Sequence, residues 1–378
     1  MSTDPAVTGA AKRPRILCLS AYDADSHKRW RQTLAAMVPD VEWAFLTLPP
    51  RYFRWRIRGN PLSWFGHPLL QEQWDALVVT SMVDLATLRG LNRHLAHTPA
   101  LAYFHENQFA YPVRDERVQS IDPQMVNLYT ALSADRVVFN SDWNRQSFLR
   151  GVERLMKRLP DGVPERLDEA LSENASILPV PIEDHWYHTR PPALGKPLHL
   201  VWNHRWEFDK GPDRLLRILQ ELHARDIDFK LSLVGQQFRQ IPKPFHRIRQ
   251  QFPSRIAHWG FLEDKARYQT LMQEADIVLS TALHDFQGLS VLEAMASGCL
   301  PVVPDRLAYP EYVPASCRYP SHEEAPVREA RAAAELIIRW VANGMPDMAS
   351  TAPAGFRQSE LTPRYRQLVE ALLEAPAA

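Results

Sequence analysis

The chain has 378 residues, of which 45% are hydrophobic and 23% charged, and its 44 basic residues equal its 44 acidic ones. This is the composition of a globular protein with room for two ordinary domains, and the zero formal charge means that any nucleic-acid contact must come from a local patch. The three cysteines provide no disulfide framework or metal site, and no apolar run approaches the roughly 20 residues that span a bilayer, so we expect a cytoplasmic protein.

The first half of the chain predicts one α/β domain. Residues 1–14 have no hydrophobic core, which predicts a disordered tail and not a signal peptide. From Arg15 onward, short apolar runs alternate with amphipathic stretches; the runs are RILCLSAY, WAFLTLP, DALVVTS, ALAYFHEN and DRVVFNS. Alternation of this kind predicts a parallel sheet with helices on both faces, here over residues 15–180.

Within this domain, the stretch RYFRWRIR combines arginines with aromatic residues. As an extended chain, it would place Arg54, Arg56 and Arg58 on one side and Trp55 and Ile57 on the other. Arginines contact RNA phosphates and aromatic rings stack on unpaired bases, so the pattern is compatible with an RNA surface, but the residues alone do not favour it over the alternative. The alternative is a surface loop whose aromatic residues anchor it to the core.

A histidine follows the strand-like run ALAYF. His105 is flanked by Glu106 and Asn107 at the predicted end of a strand, where ligands bind in sheets of this kind. The alternative is a buried histidine that bonds to a loop carbonyl.

A proline-rich stretch over residues 181–197 predicts an interdomain linker, after which the alternation repeats. The runs LHLVWNHR, FKLSLVG, RIAHWGFL, DIVLSTA and CLPVVPD predict a second Rossmann-like domain over residues 198–345. Residues 346–378 contain a loose segment and an amphipathic helix, which we expect to pack back across the seam between the domains.

Two cations follow the first strand of the second domain. Arg205 offers a fork for two phosphate oxygens, Lys210 offers a point charge, and a helix begins at Gly211 and Pro212. The alternative is a pair of solvated loop residues.

The stretch HDFQGLSVLEAMASGCLPVV places two acids around a glycine and a helix start. Free N–H groups at Gly288, Leu289 and Ser290, with the helix dipole, suit a phosphate. Asp285 before the turn could accept hydrogen bonds from sugar hydroxyls, and Glu293 inside the helix could accept them from a vicinal diol such as a ribose.

The Arg/Lys loop and the two-acid helix resemble retaining glycosyltransferases of the GT-B fold, family 4 type. More specifically, the chain resembles the tRNA-queuosine α-mannosyltransferase family in SHKRW, YFHENQFAYP, VVFNSDWNRQSFL, VWNHRWEFDKGPD, AHWGFL and HDFQGLSVLEAMASGCLPVVPDRLAYPE. The resemblance extends from about Arg15 to Pro314. The family usually has Glu at position 285 and Tyr-Gly-Gly-Ser-His where this chain has YDADSH, and here we predict that Asp25 caps the following helix.

The resemblance implies a fold, a reaction and a set of site residues. It implies two Rossmann-like domains facing a cleft, and mannose transfer from GDP-mannose to the cyclopentene diol of queuosine in a tRNA anticodon loop. Arg205 and Lys210 would bind the donor diphosphate, and Glu293 its ribose. His105 and Asp285 would be catalytic at the sugar. Backbone of Phe286, Gln287, Gly288 and Leu289 would lie near the donor, and the acceptor would contact Ser26, His27, Lys28, Glu106, Asn107, Arg54, Trp55, Arg56 and Arg58.

No cofactor or metal site is expected, although Mg²⁺ could assist a diphosphate, and neither a membrane nor a protein partner is predicted. Two other functions stay open on the sequence: a hexosyltransferase with a lipid or glycan acceptor, and a non-catalytic protein that binds nucleotide sugars or RNA.

Overall fold

The structure is a computed structural model that describes residues 12–111, 120–188, 194–345 and 353–375. Residues 1–11 of the predicted tail lie outside the described residues. So do residues 189–193 of the predicted linker, and residues 346–352 and 376–378 of the predicted C-terminal segment.

The N-terminal domain is a six-stranded parallel sheet covered by helices. Its strands are β1 (Arg15–Ser20), β2 (Glu42–Thr47), β3 (Ala76–Thr80), β4 (Ala100–Phe104), β5 (Arg136–Phe139) and β6 (Ala175–Ile177). Its helices are α1 (Asp25–Met37), α2 (Phe53–Ser63), α3 (Leu85–Leu91), α4 (Asp122–Leu132), α5 (Asp142–Met156) and α6 (Leu167–Glu173). The central strands β3 and β4 are buried along their whole length, which explains their unbroken apolar sequences.

The C-terminal domain repeats this architecture with a second six-stranded parallel sheet. Its strands are β7 (Leu198–Trp202), β8 (Phe229–Val234), β9 (Ile256–Gly260), β10 (Ile277–Leu279), β11 (Leu300–Pro304) and β12 (Arg318–Tyr319). The helices are α7 (Pro212–Ala224), α8 (Lys243–Gln251), α9 (Lys265–Glu274), α10 (Leu289–Ala296), α11 (Pro326–Asn343) and α12 (Gln358–Leu373). The predicted pair of Rossmann-like domains is therefore confirmed.

The strand orders locate the two places where a ligand can enter. The N-terminal strand order is β2-β1-β3-β4-β5-β6. From β1 the chain first adds β2 on one side and then β3 on the other, so the topological switch point, or strand reversal, lies between β1 and β3. The C-terminal order is β12-β11-β10-β7-β8-β9, which puts the reversal between β7 and β10. Ligands of doubly wound sheets bind outside the carboxyl ends of the strands at such a reversal.

The last helix returns to the first domain, as predicted. Leu361, Tyr365, Val369 and Leu372 of α12 are buried against the core of the N-terminal sheet. The Tyr365 hydroxyl accepts a hydrogen bond of 3.1 Å from the indole N–H of Trp30 on α1. Helix α12 thus ties the end of the chain across the seam. None of the helices in the described ranges is both long and apolar enough to cross a membrane.

The arginine-rich stretch is helical, so the predicted extended chain is wrong. Helix α2 buries Ile57, Pro61 and Trp64, which recur at the spacing of one helix face. The arginines do occur at every second position. The buried residues, however, recur at helical spacing, and their burial against the core stabilises the helix. Arg54 and Arg58 therefore share a face, four residues apart, while Arg56 lies on another.

Candidate active site

The loop after β7 carries the two predicted phosphate ligands. Lys210 is buried, and its ammonium donates to the His284 carbonyl at 2.6 Å. Its Nζ lies 3.5 Å from a carboxylate oxygen of Asp209 and 3.5 Å from one of Asp285. The Arg205 side chain is 40% exposed and pairs with Glu207 and, at 3.5 Å, with Asp209. The site therefore holds one buried cation and one partly exposed cation.

A glycine lets this loop approach the neighbouring strand. Gly211 has a φ of 64°, and an added Cβ would lie 2.1 Å from the Thr281 carbonyl oxygen. A residue with a side chain does not fit there. This contact brings the loop after β7 beside the loop after β10, at the strand reversal.

The loop after β10 contains the first predicted acid. Asp285 accepts a hydrogen bond of 3.0 Å from the N–H of Gly288, so that N–H is not free for a phosphate, in contrast to our prediction. Burial opposes ionisation of Asp285, but Lys210 and the smaller contributions of His204, His284 and the Gly288 N–H together outweigh burial and lower the pKa of the carboxyl. Asp285 therefore shapes the turn as a carboxylate and keeps its second oxygen beside Lys210.

The second predicted acid, Glu293, is buried on α10 and engaged through both oxygens. Its Oε1 accepts a hydrogen bond from Arg29 of α1, and its Oε2 accepts one of 3.2 Å from the Tyr268 hydroxyl. Arg29 belongs to the other domain, so this carboxylate lies in a contact across the seam.

The backbone between the two acids is held by the N-terminal half of the chain. The Phe286 carbonyl accepts a hydrogen bond of 2.5 Å from the Ser141 hydroxyl. The Gln287 side-chain amide bonds to both backbone groups of Val180, at 2.9 and 2.8 Å. Gly288 has a φ of 77°, and partly buried Leu289 begins α10. The predicted donor loop is thus fixed by the opposite domain.

On the N-terminal side of the seam, His27 and Glu106 form a buried pair. The His27 Nε2 lies 3.0 Å from Glu106 Oε2, and the Ser81 hydroxyl donates to the other oxygen at 3.0 Å. Burial opposes protonation of His27, but the carboxylate of Glu106 outweighs it and raises the pKa of the imidazole. Ser26 and Lys28, on either side, are exposed.

His105 stacks on this pair. Its ring centroid lies 4.2 Å from that of His27, and burial, then the charge of His27, holds its pKa well below the usual range. The His105 Nε2 is buried and has no hydrogen-bond partner within the described parts of the chain. His105 is therefore a neutral imidazole with one unused nitrogen, which suits a hydroxyl ligand.

Two smaller predictions differ from the structure. Asn107 is fully buried and its amide bonds to Asn144, Ser147 and two loop N–H groups, so it holds the loop together and does not face an acceptor. Asp25 makes no capping hydrogen bond, because it is the first residue of α1 and not the residue before it. The acid that fixes this loop is Asp23, which pairs with Arg31 at 2.9 Å.

The α2 surface, which we define as Arg51, Tyr52, Arg54, Trp55 and Arg58, faces solvent. Arg56 beside it is partly exposed and donates to the Ser63 hydroxyl at 3.3 Å. Arg58 is half exposed but pairs at 2.7 Å with the buried Asp84 that caps α3. Phe53 at the start of α2 contacts Tyr22, in the loop after β1, at 6.4 Å between ring centroids. The surface therefore begins where the N-terminal strand reversal lies.

Sequence reasoning missed three side chains at the site. His204 and His284 are buried, and the Nε2 of each has no hydrogen-bond partner among the residues that the structure describes. Burial, then Lys210, lowers the pKa of each to about 3. Tyr111 of the N-terminal domain contacts His284, with 4.9 Å between ring centroids and the rings tilted by 56°, and it hydrogen-bonds to Arg205. In the sequence, His204 precedes Arg205 and His284 precedes Asp285, both of which were predicted to bind the donor. That adjacency was the only sequence feature that could have indicated the two histidines.

The assembled site offers cations, ionised acids and neutral imidazoles facing one seam. Cations suit a diphosphate, and the acids and imidazoles suit hydroxyls. Across the described ranges, no three His, Cys, Asp or Glu side chains are grouped so that they could bind a metal ion.

Comparisons with known proteins agree with this division of the chain. Residues 15–182 match the family model "tRNA-queuosine alpha-mannosyltransferase N-terminal", and residues 198–343 match "Glycosyl transferases group 1". The tRNA-queuosine alpha-mannosyltransferase of Drosophila melanogaster is 32% identical over 311 residues, covering 80% of this chain and 82% of that protein. A GDP-mannose-dependent alpha-(1-6)-phosphatidylinositol dimannoside mannosyltransferase of Mycobacterium tuberculosis is 26% identical over 245 residues, covering 64% of this chain and 60% of that protein.

Solved structures show the same fold at low identity. A glycosyltransferase from Rickettsia africae superposes with a TM-score of 0.65 at 14% identity, covering 96% of this chain and 99% of that one. The Anabaena protein HepE, solved with UDP, superposes with a TM-score of 0.63 at 14% identity, covering 94% and 100%.

Proposed function

The chain belongs to the tRNA-queuosine alpha-mannosyltransferase family, and we propose that it transfers mannose from GDP-mannose to the cyclopentene diol of queuosine in a tRNA, with retention of configuration. The observation that carries the proposal is the meeting of the two strand reversals. Lys210, Arg205 and Asp285 lie at one of them, and the loop carrying Phe286 is bonded to Ser141 of the domain that contains the other. A donor and an acceptor would meet at this seam.

We assign a role in donor binding to five residues of the site. Arg205 and Lys210 bind the diphosphate, because they are the cations of the loop beside the α10 start. Glu293 accepts hydrogen bonds from the ribose. Asp285 and the neutral His105 bind hydroxyls of the mannose, which needs no charge on the imidazole.

The reaction needs no general base from the protein. The bond between the anomeric carbon and the diphosphate oxygen breaks while the acceptor hydroxyl attacks on the same face, and the leaving phosphate oxygen takes the hydroxyl proton. The protein's part is then to hold donor and acceptor in register and to stabilise the diphosphate charge.

The acceptor is recognised by the α2 surface, which would contact the anticodon loop. Its arginines are exposed for phosphate contact, and the exposed fractions of Tyr52 and Trp55 are 69% and 49%. Exposed aromatic rings on a polar surface suit stacking on unpaired bases.

Mass spectrometry of queuosine-containing tRNA tests the proposal. The tRNA is incubated with the protein and GDP-mannose, or with UDP-glucose as the competing donor, and the nucleosides are analysed. We expect the mass of queuosine to rise by one hexose with GDP-mannose and not with UDP-glucose. Unmodified queuosine with every donor would contradict the proposed acceptor, and a gain from UDP-glucose alone would contradict the donor.

A lipid acceptor is the second candidate, because α2 also exposes apolar side chains. Leu62 and Phe65, at and just beyond its end, are 65% and 66% exposed. A helix with arginines and exposed apolar residues can lie on an anionic bilayer. Sedimentation of the protein with phosphatidylserine vesicles, together with mannose transfer to lipid extracts, would favour this candidate.

A further inference from the structure

Arg29 extends from the acceptor domain into the donor domain. It lies on α1, yet its Nη1 donates to Glu293 on α10, and its Nη2 lies 2.9 Å from Glu183, at the start of the connection between the domains. The side chain is 26% exposed. One guanidinium therefore joins three separate parts of the chain.

Glu293 depends on this contact for its countercharge. The carboxylate is 8% exposed, and its only ion pair within the described ranges is with Arg29. Its other bond comes from Tyr268, which in turn accepts a hydrogen bond of 3.1 Å from Asn203 in the loop after β7. A buried carboxylate without a cation would be strongly destabilised.

A ribose does not replace Arg29 in this arrangement. Each carboxylate oxygen has two lone pairs, so the bonds from Arg29 and Tyr268 leave one lone pair on each oxygen for two neighbouring hydroxyls. Hydroxyls are neutral, and expelling Arg29 would leave the buried Glu293 carboxylate without a countercharge. The cation must stay while the ribose binds.

We propose that Arg29 is a positioning residue of the donor site, supplied by the acceptor domain, which holds Glu293 oriented for the ribose diol. The inference rests on the proposed role of Glu293. Its consequence is that ribose recognition is complete only when the two domains meet as they do here, so donor binding favours the arrangement that also forms the acceptor side.

Ribose discrimination tests this role. The ratio of the Kd values for 2′-deoxy-GDP and GDP is measured by titration calorimetry, or with the uridine nucleotides if UDP binds the wild-type protein more tightly. Removing a hydrogen bond to a charged acceptor weakens binding by about tenfold or more, so we expect a wild-type ratio of at least about ten. Glu293→Gln should reduce the ratio towards one.

Arg29→Gln should reduce the ratio in the same way, while GDP binding through the diphosphate persists. Arg29→Lys retains the charge but not the fork that contacts two carboxylates at once, so its ratio should also fall below that of the wild type. Arg31→Gln is the matched control, because Arg31 lies on the same helix and pairs with Asp23 inside its own domain. Its ratio should equal that of the wild type.

A wild-type ratio in Arg29→Gln, with both nucleotides weakened equally, would overturn the proposal and leave Arg29 a packing residue. If Arg29→Gln does not fold, as judged by thermal melting, a wild-type ratio in Arg29→Lys would overturn it instead. A wild-type ratio in Glu293→Gln would show that the proposed role of Glu293 is wrong, which is a separate result.

Discussion

The loop after β7 and the α2 surface both carry positively charged side chains, but they hold the charges of Lys210 and Arg54 in opposite ways. In the loop, Lys210 is 7% exposed and lies between two carboxylates. On α2, Arg54 is exposed and makes no ion pair with any residue that the structure describes. The comparison teaches that buried, paired charges suit one small ligand in a fixed pose, whereas exposed ones suit a long anionic polymer.

The largest effect is expected where the charges are buried. Lys210→Met leaves Asp285 and Asp209 without their shared cation, so the free energy of unfolding should fall by about 3–5 kcal/mol and GDP binding should be abolished. Thermal melting and calorimetry measure the two. Lys157→Met is the control, because Lys157 forms an exposed pair with Glu153 and its loss should leave the melting temperature almost unchanged. A stable Lys210→Met variant with normal GDP affinity would show that the buried, paired charge of Lys210 is needed neither for folding nor for binding the small ligand.

Arg205 should separate binding from stability. Its side chain is 40% exposed, so Arg205→Ala should leave the melting temperature nearly unchanged and weaken GDP binding by about 2–4 kcal/mol. Calorimetry with GDP decides this. Unchanged affinity in both this variant and Lys210→Met would place the diphosphate elsewhere.

Trp55 tests whether the α2 surface stacks on bases. The ring is half exposed and lies against Gly59 of its own helix, where an added Cβ would be 2.6 Å from the ring. Trp55→Ala should weaken tRNA binding by about 1–3 kcal/mol, measured by filter binding, with GDP affinity unchanged. A large drop in melting temperature with normal tRNA binding would make the ring a packing residue.

Removing the exposed arginines should reduce the salt dependence of tRNA binding. We expect Arg51→Gln with Arg54→Gln to reduce the slope of log affinity for tRNA against log salt by about 0.7 for each phosphate that the protein no longer neutralises. Arg58 is left in place because it pairs with Asp84. The matched control replaces Arg150 and Arg154 on α5, which should not alter the slope. Equal slopes in both double variants and the wild type would favour the lipid acceptor.

Removal of divalent metal should have the smallest effect. We expect mannose transfer to continue in excess chelator, because Arg205 and Lys210 already supply the positive charge that a diphosphate requires. Assays with and without EDTA measure this. Activity that disappears and returns only with Mg²⁺ would show that the two cations are not sufficient.

Much of the donor side followed from local sequence patterns. Pro212 begins α7 and the chain leaves α11 at Gly344, as their places in the helical pattern indicate. The apolar runs predicted parallel strands, and strand ends predicted where Arg205, Asp285 and His105 would be found. These features depend on residues within a few positions of each other, so a linear pattern contains them.

The proposed acceptor side was predicted less well, because α2 contains both a strand-like alternation of arginines and a helical spacing of apolar residues. The arginines of α2 alternate, but Ile57 and Trp64 recur on one helix face, and their burial decided for the helix. Asn107 looked like a polar residue beside a site, and only the packing of α5 against its loop shows that its amide is used internally.

The sequence by itself determined the two α/β domains, the strand ends that carry the charged residues and the kinds of ligand those residues suit. The tertiary structure alone decided which residues meet across the seam. Arg29 and Glu293 are 264 positions apart, and no periodic pattern relates them. Their contact exists because α1 and α10 lie at the facing carboxyl edges of two sheets, and that geometry is set by how the domains pack and by the return of α12.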